Sequence, residues 1–375
     1  MNNLNHPEAL KERSKKYQRT KLRLHVASLM LSSIFLIVVQ IIGISAAIKD
    51  IAFKAAPSFY PALAVYFFIF SALSYIVTFP IHFYSGFLLE HRFALSNQTV
   101  KRWFGEEAKG YAISFVITLA VVEALYFICR NFEANWWIPV SIFWILFTVG
   151  FAKIFPVVIM PLFYKCVPLK NEELKNKIFS LAGRFNIKIS DIFEIDFSKN
   201  TRKSNAAVIG WGKTRRVVLT DNLINEFTPD EVEVVAAHEF AHYALGHIQK
   251  LVSVQILSTV IFFYGLSLIM PVMASLFGAS GQSDILILPA IFFLFGLYSF
   301  TVTPILNAYS RKLEEDADRS AIETTKKPLA FISLMKRLSE KNLSDDSPSP
   351  LVEYLFYNHP PISKRIRMGE EYAKK

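Results

Sequence analysis

Residues 228–272 read TPDEVEVVAAHEFAHYALGHIQKLVSVQILSTVIFFYGLSLIMPV, a polar helix that passes with little interruption into an apolar run long enough to cross a bilayer. The start signals are strong: Thr228 can cap the helix, Pro229 suits its first turn, and Glu231 completes a Thr-x-x-Glu capping box. His238 and His242 are four residues apart, about 400° of helical rotation, so their imidazoles leave the same face. Two neutral nitrogens so placed can grip one Zn2+, and Glu239, a step around the helix, can take a proton from water held there. His247 lies five residues beyond His242, turned about 140° away on the same extrapolation. It is therefore read as a helix residue at headgroup level and not as a ligand.

The apolar run has company. At 53% hydrophobic and 19% charged, the 375-residue chain is too greasy for a soluble protein, where the charged share is roughly 25%. Six segments qualify as spans, near 25–47, 60–82, 110–129, 137–163, 251–275 and 284–307. The first run lacks a small-residue cleavage site, so it is not read as a signal peptide. With a cytoplasmic N-terminus, 37 of the 41 Lys and Arg fall on one side of the membrane, leaving Lys49, Lys54 and Arg130 opposite and Lys153 within a span. That imbalance is the positive-inside pattern, and it accounts for the net charge of +10 without nucleic acid. The histidine motif should face the cytoplasm.

The expected fold is thus mainly α-helical, with six spans and a small cytoplasmic α/β portion that bears the H-E-x-x-H helix. Residues 1–163 would hold a basic segment and spans one to four, 164–250 the α/β portion, 251–307 spans five and six, and 308–375 a C-terminal cytoplasmic portion. The first 24 residues read as a basic amphipathic lead-in on the anionic inner surface. The polar loop 83–109 is long enough to fold back over something. IFEIDFS, NAAVIG and RRVVLT read as strands, and WGKT between the last two offers Gly212 as a hairpin device. Pro156 and Pro161 should kink the fourth span; Glu123 and Lys153, within spans three and four, either pair or line a bundle interior or cavity, or snorkel with no catalytic role. Cys129 and Cys166 flank that span, too far apart for a disulfide, and read as packing residues.

A catalytic zinc takes three protein ligands and keeps one position open. The third must come from elsewhere, and NAYSRKLEEDADRSA, directly after the sixth span, returns acidic residues to the same side. Glu314 and Asp318 are four apart and share a helix face, so one carboxylate can bind metal while the other accepts a hydrogen bond from a ligating histidine. Glu315 and Asp316 point elsewhere.

These residues resemble a known family, the integral-membrane zinc metalloproteases of the type I CAAX prenyl endopeptidase kind. The resemblance is carried by HEFAHYALGH, by SRKLEEDAD against Ser-Arg-x-x-Glu-x-x-Ala-Asp, by SNAAVIG against Ser-Asn-Ala-x-x-x-Gly, and by NHPPISKRI against His-Pro-Pro-x-x-x-Arg. With LLEHRFALSNQT and PLFYKCVPL, they follow the family's order along nearly the whole chain. It implies one Zn2+ per chain on His238, His242 and Glu314, with Glu239 as general base and Asp318 as the partner of a zinc histidine. Asn205 would hold the substrate backbone in an edge-strand mode, and His359 would hydrogen-bond the scissile carbonyl or its oxyanion. The substrate would be a peptide or protein with a prenylated C-terminal CAAX tail, held at the bilayer surface by its greasy end. The host membrane would be a bacterial inner membrane or the endoplasmic reticulum, with the site facing the cytoplasm.

The chain departs from the family in three places. Eukaryotic members carry a further membrane helix ahead of the segment matching HPEALKERSKKY, which would form one wall of a large intramembrane chamber. Ala241 stands where Gly is frequent, and FALSNQT replaces the commoner Phe-Gly-Phe-Asn-x-Gln-Thr. Two alternatives accompany the protease reading: a membrane quality-control zinc protease of the bacterial stress type, and a transporter or channel containing a metal.

Overall fold

A computed structural model of the chain describes residues 7–210, residue 212 and residues 215–375. Trp211, Lys213 and Thr214 of the WGKT turn lie outside the described residues, as do the first six of the basic lead-in. Among the described residues six helices are long and apolar enough to cross a membrane: Glu8–Ile41, Phe59–Arg92, Val100–Asn131, Trp137–Phe163, His247–Phe277 and Ile285–Thr325.

The first of these departs from expectation at both ends. Helix α1, Pro7–Ile41, takes in the described part of the basic lead-in, and a left-handed Gly43 (φ 84°) separates it from α2, Ile44–Ala55. The lead-in is therefore not a separate element on the lipid surface. Its polar groups find protein partners instead: Tyr17 is fully buried and donates to Glu90, Arg13 donates to the Phe93 carbonyl, and Gln18 donates to the Leu343 carbonyl at 2.7 Å.

Helix α3, Phe59–Phe83, continues through a π-helical turn at Tyr84–Leu88 into α4, Leu89–Arg92. The chain then stops in a Schellman motif, with Leu95 N–H on the Glu90 carbonyl and Ala94 N–H on that of His91. Ala94 takes the left-handed position (φ 54°), where the commoner motif has Gly. Of the anticipated loop 83–109 only 93–99 is non-helical, and it folds back as anticipated, onto 200–202: Arg202 N–H donates to the Leu95 carbonyl at 2.9 Å and Asn97 N–H to that of Asn200 at 3.0 Å. Thr99 then caps α5, Val100–Asn131. Helix α6, Trp137–Ile154, breaks into a π turn at Phe155–Ile159 before α7, Met160–Phe163, which places the distortion at the two prolines.

The α/β portion is compact and small. In chain order it comprises β1 (Cys166–Pro168), α8 (Glu172–Arg184), β2 (Asp191–Ile195), β3 (Ala206–Ile209), β4 (Arg216–Thr220), α9 (Asp221–Glu226) and α10 (Pro229–Ala244). The sheet order is β1-β2-β4-β3, with β2 parallel to β4 and both outer strands antiparallel to their neighbours. All three anticipated strands form, and Gly212, at φ 58°, lies between β3 and β4. Strand β1 had no readable signal, being three residues that end in Pro168. β4 runs through the middle, its Val217, Val218 and Leu219 buried; β3 is an edge.

Helix α10 starts with the anticipated capping box, Thr228 accepting from Glu231 N–H while the Glu231 carboxylate accepts from Thr228 N–H. A left-handed Gly246 (φ 67°) then separates it from α11, His247–Phe277. Helix α12, Leu288–Thr325, is 38 residues long and carries the sixth span into the α/β portion. There α13 (Pro328–Asn342), α14 (Pro350–Phe356) and α15 (Ile362–Ala373) close the molecule. One core unites these pieces: Ile178 and Leu181 of α8, Leu219 of β4, Phe240 of α10, Ala321 of α12 and Phe331 of α13 are all buried together. Each large apolar side chain buried there stabilises by about 1.5–3 kcal/mol, which fixes α10 against α12. α15 sits so close that a Cβ on Gly369 would lie 2.7 Å from Ile332 Cγ1.

Candidate active site

That packing brings the two halves of the site together. His238 and His242 leave one face of α10, and Glu314 of α12 reaches between them, with the candidate ligand atoms of all three within 4.8 Å of one another. His238 Nε2 is 3.1 Å from His242 Nε2 and 3.1 Å from Glu314 Oε2, and His242 Nε2 is 3.4 Å from Glu314 Oε1. Ligands of one tetrahedral ion at 2.0–2.2 Å stand about 3.3–3.5 Å apart, so this donor set fits a metal. Glu314 Oε2 is buried with His238 Nε2 at 3.1 Å and His359 Nε2 at 3.3 Å and meets hydrogen-bond geometry with neither, as an oxygen awaiting a cation would. Glu315 and Asp316 are exposed, as the helix geometry requires.

Asp318 is fully buried behind His238, its Oδ1 2.9 Å from His238 Nδ1. Arg365 of α15 grips the same carboxylate in a two-pronged contact, from Nε at 2.7 Å and from Nη2 at 2.6 Å. Burial lowers the pKa of His238, but the Asp318 and Glu314 carboxylates outweigh it and push it up to about 10. His242, by burial and then by the neighbouring His238 charge, is held down to about 4. Glu239 is raised above the ordinary glutamate range, chiefly by burial.

Sequence reasoning gave Arg365 no role, although NHPPISKRI contains it. Its partner is 47 residues away and only the fold brings them together.

His247 must be corrected. It is buried in the protein, and its Nδ1 meets His242 Nδ1 at 3.0 Å, on the face it was expected to turn away from. The left-handed Gly246 breaks the helix between them, so the 140° extrapolation does not apply.

The remaining candidates line the same cavity. It measures about 500 Å3 and is walled by His238, Glu239, Asn205, Ala206 and His359 among others. His359 precedes α15, half-exposed, with Nε2 3.3 Å from Glu314 Oε2 and Nδ1 2.9 Å from Asn358 Oδ1. Asn205 stands one residue ahead of β3 rather than on it, tied to β4 through Thr220 in both directions. Its side-chain oxygen accepts from Ala206 N–H, which leaves the amide N–H2 as the group it can offer a substrate. Further along the edge, Tyr243 donates to the Val208 carbonyl at 3.1 Å, while a Val208 backbone hydrogen bond reaches Glu239.

Fold and site together define an integral, multi-pass membrane metallopeptidase. Comparison with known proteins gives its family. The profile of peptidase family M48 matches residues 168–373, and a CAAX prenyl protease N-terminal profile with five membrane helices matches residues 5–165. The chain belongs to peptidase family M48. It is 30% identical to the uncharacterized metalloprotease YhfN of Bacillus subtilis over 96% of this chain and 85% of that one. It is 31% identical to the CAAX prenyl protease 1 homolog of Arabidopsis thaliana, over 80% of this chain and 72% of the other. The crystal structure of S. mikatae Ste24p superposes with a TM-score of 0.85 at 26% identity, covering 98% of this chain and 91% of that chain. The enzyme is a metalloendopeptidase, and peptides or proteins are its substrates. These matches do not favour the quality-control or transporter readings.

Proposed function

We propose that the enzyme cleaves membrane-held proteins near a prenylated C-terminal CAAX tail, using one zinc ion on His238, His242 and Glu314. The two histidine Nε2 atoms and the two Glu314 carboxylate oxygens, paired at 3.1–3.4 Å beside Glu239 and an edge strand, are the observation that supports this most directly. The relatives named as CAAX prenyl proteases support the substrate class. The four-part division at residues 163, 250 and 307, with the site on the cytoplasmic side of a bacterial inner membrane or endoplasmic reticulum, belongs to the same proposal. The Lys and Arg distribution supports the orientation.

When bound, zinc supplies Lewis acidity that activates water and polarises the scissile carbonyl. Glu239 takes the proton from the attacking water and returns it to the leaving amine. His359 Nε2 donates to the carbonyl oxygen as charge develops on it, and the Asn205 amide holds the substrate backbone. Asp318, itself fixed by Arg365, accepts from His238 Nδ1–H and so keeps Nε2 free for the metal.

The test is cleavage of a farnesylated CAAX peptide and its unprenylated twin by purified enzyme, with Glu239→Gln as the blank. Cutting that depends on Glu239 and favours the farnesylated peptide is expected; equal cutting of both would remove the prenyl requirement.

A further inference from the structure

The cavity beside Glu239 does not end at Asn205. It runs past Ser204 and Asn342 to Gln18, Asp345, Phe356 and Tyr357, and these last four also wall a second recess of about 410 Å3. The far side of that recess is α1, which presents Lys15, Arg19, Lys21 and His25 to it. Positions 15, 18, 19, 22 and 25 follow the helical spacing, so one face of α1 carries them. Only Asp345 is acidic among the lining residues, and its Oδ1 already accepts from Ser347 N–H. The Glu90 carboxylate of α4 is held by Lys203 and Tyr17. Among the described residues Lys15 and Arg19 make no ion pair with the protein.

The edge strand says which end of a substrate would enter. The cavity is lined by Ser204 and Asn205, just ahead of β3, and by Ala206 at its start, whose N–H is held by the Asn205 side chain, while Val208 is engaged by Tyr243 and Glu239. An added strand pairs slightly better antiparallel than parallel. Antiparallel to β3, its chain runs from the Ile209 end to the Asn205 end and leaves C-terminus first toward Gln18. Three extended residues past the scissile bond reach about 10 Å further. Such a tail ends in a free α-carboxylate, an acceptor-only, singly charged group of the kind that lysine and arginine bind.

We infer that the recess bounded by Lys15, Arg19, Lys21 and His25 receives the C-terminal carboxylate of the substrate tail. This rests on the proposed CAAX reading, because such a tail ends in that group a fixed distance beyond the cleaved bond. The recess thereby makes the enzyme count from the chain terminus. The positive-inside pattern explains why this end of α1 is basic; the continuity of the two cavities gives those cations a ligand. An anionic lipid headgroup offers related chemistry, and the experiment separates the two.

The experiment uses the full-length, zinc-loaded Glu239→Gln protein in detergent and measures equilibrium binding of fluorescent farnesylated peptides ending in carboxylate or carboxamide. The acid is expected to bind about tenfold or more tightly, as one charge-assisted contact gives. Adding Lys15→Gln and Arg19→Gln should abolish that ratio and leave the amide's affinity unchanged; neither residue holds the fold through an ion pair. Equal binding of acid and amide by the parent protein overturns the inference and leaves the prenyl reading standing. The ratio surviving the double substitution, with only binding to phosphatidylglycerol vesicles reduced, also overturns it in favour of lipid. Failure of both peptides to bind overturns the substrate reading, and the inference with it.

Discussion

His242 has two ring nitrogens, and each has its own neighbour: Nε2 turns toward Glu314 and His238, while Nδ1 meets Nδ1 of His247 at 3.0 Å. If the Nε2 lone pair serves a metal, Nδ1 carries the proton and donates it, so His247 must accept on Nδ1 and keep its own proton on Nε2. His247→Phe keeps the ring and deletes the acceptor. It is expected to raise the rate of zinc loss to a chelator roughly 10- to 100-fold, and a rate equal to the parent's would show that the contact does not orient His242. The pair was hidden from the sequence because a helical wheel assumes an unbroken helix, and Gly246 breaks it. His238, Glu239 and His242 were legible because their spacing lies within one turn and states its own geometry. Glu314 and Asp318 were legible as a pair for the same reason. Arg365 was not, since nothing local distinguishes an arginine that will meet a buried aspartate from one that will meet water.

Helix α10 is held at its start as firmly as at its metal face. Glu233, buried on that helix, is clamped by Arg184 and by Lys177 at 3.4 Å from α8, and by Lys327 at 2.7 Å from the junction of α12 and α13. Burial alone would raise its pKa, but the Lys327 hydrogen bond and the surrounding cations hold it below the ordinary value of 4.5. A depressed carboxylate stabilises fully above its unfolded value, and that contribution is lost as pH falls through the folded one. Thermal melts of the detergent-solubilised enzyme should therefore drop below about pH 4.5. Glu233→Gln should cost about 1–3 kcal/mol at neutral pH, discounted for the partly exposed cations, and show a shallower acid decline. An acid decline as steep as the parent's would assign it to other carboxylates. The capping box at Thr228, readable from four residues, starts this helix; the clamp, spread over 150 residues, could not be read.

The six spans were legible as a count because each needs only a run of apolar residues, and the positions of five ends were not. α1 and α12 reach far beyond their greasy stretches, since polar helix continues wherever protein offers it partners, as Glu90 does for Tyr17. In α12 that extension has a mechanical meaning. At 1.5 Å per residue its 38 residues measure about 57 Å, nearly twice a hydrocarbon core of about 30 Å, and Glu314 rides on the part beyond. A spanning rod adjusts to a thinner or thicker bilayer by tilting. A tilt that passes Pro304 and is not absorbed by the core shared with α10 would displace Glu314 against the two histidines on that helix. Proteoliposomes of lipids with progressively longer acyl chains should show turnover rising to an optimum and falling again; a flat profile would mean the rod's tilt is absorbed before it reaches the carboxylate. An optimum in that profile would make membrane thickness a control knob of the catalyst.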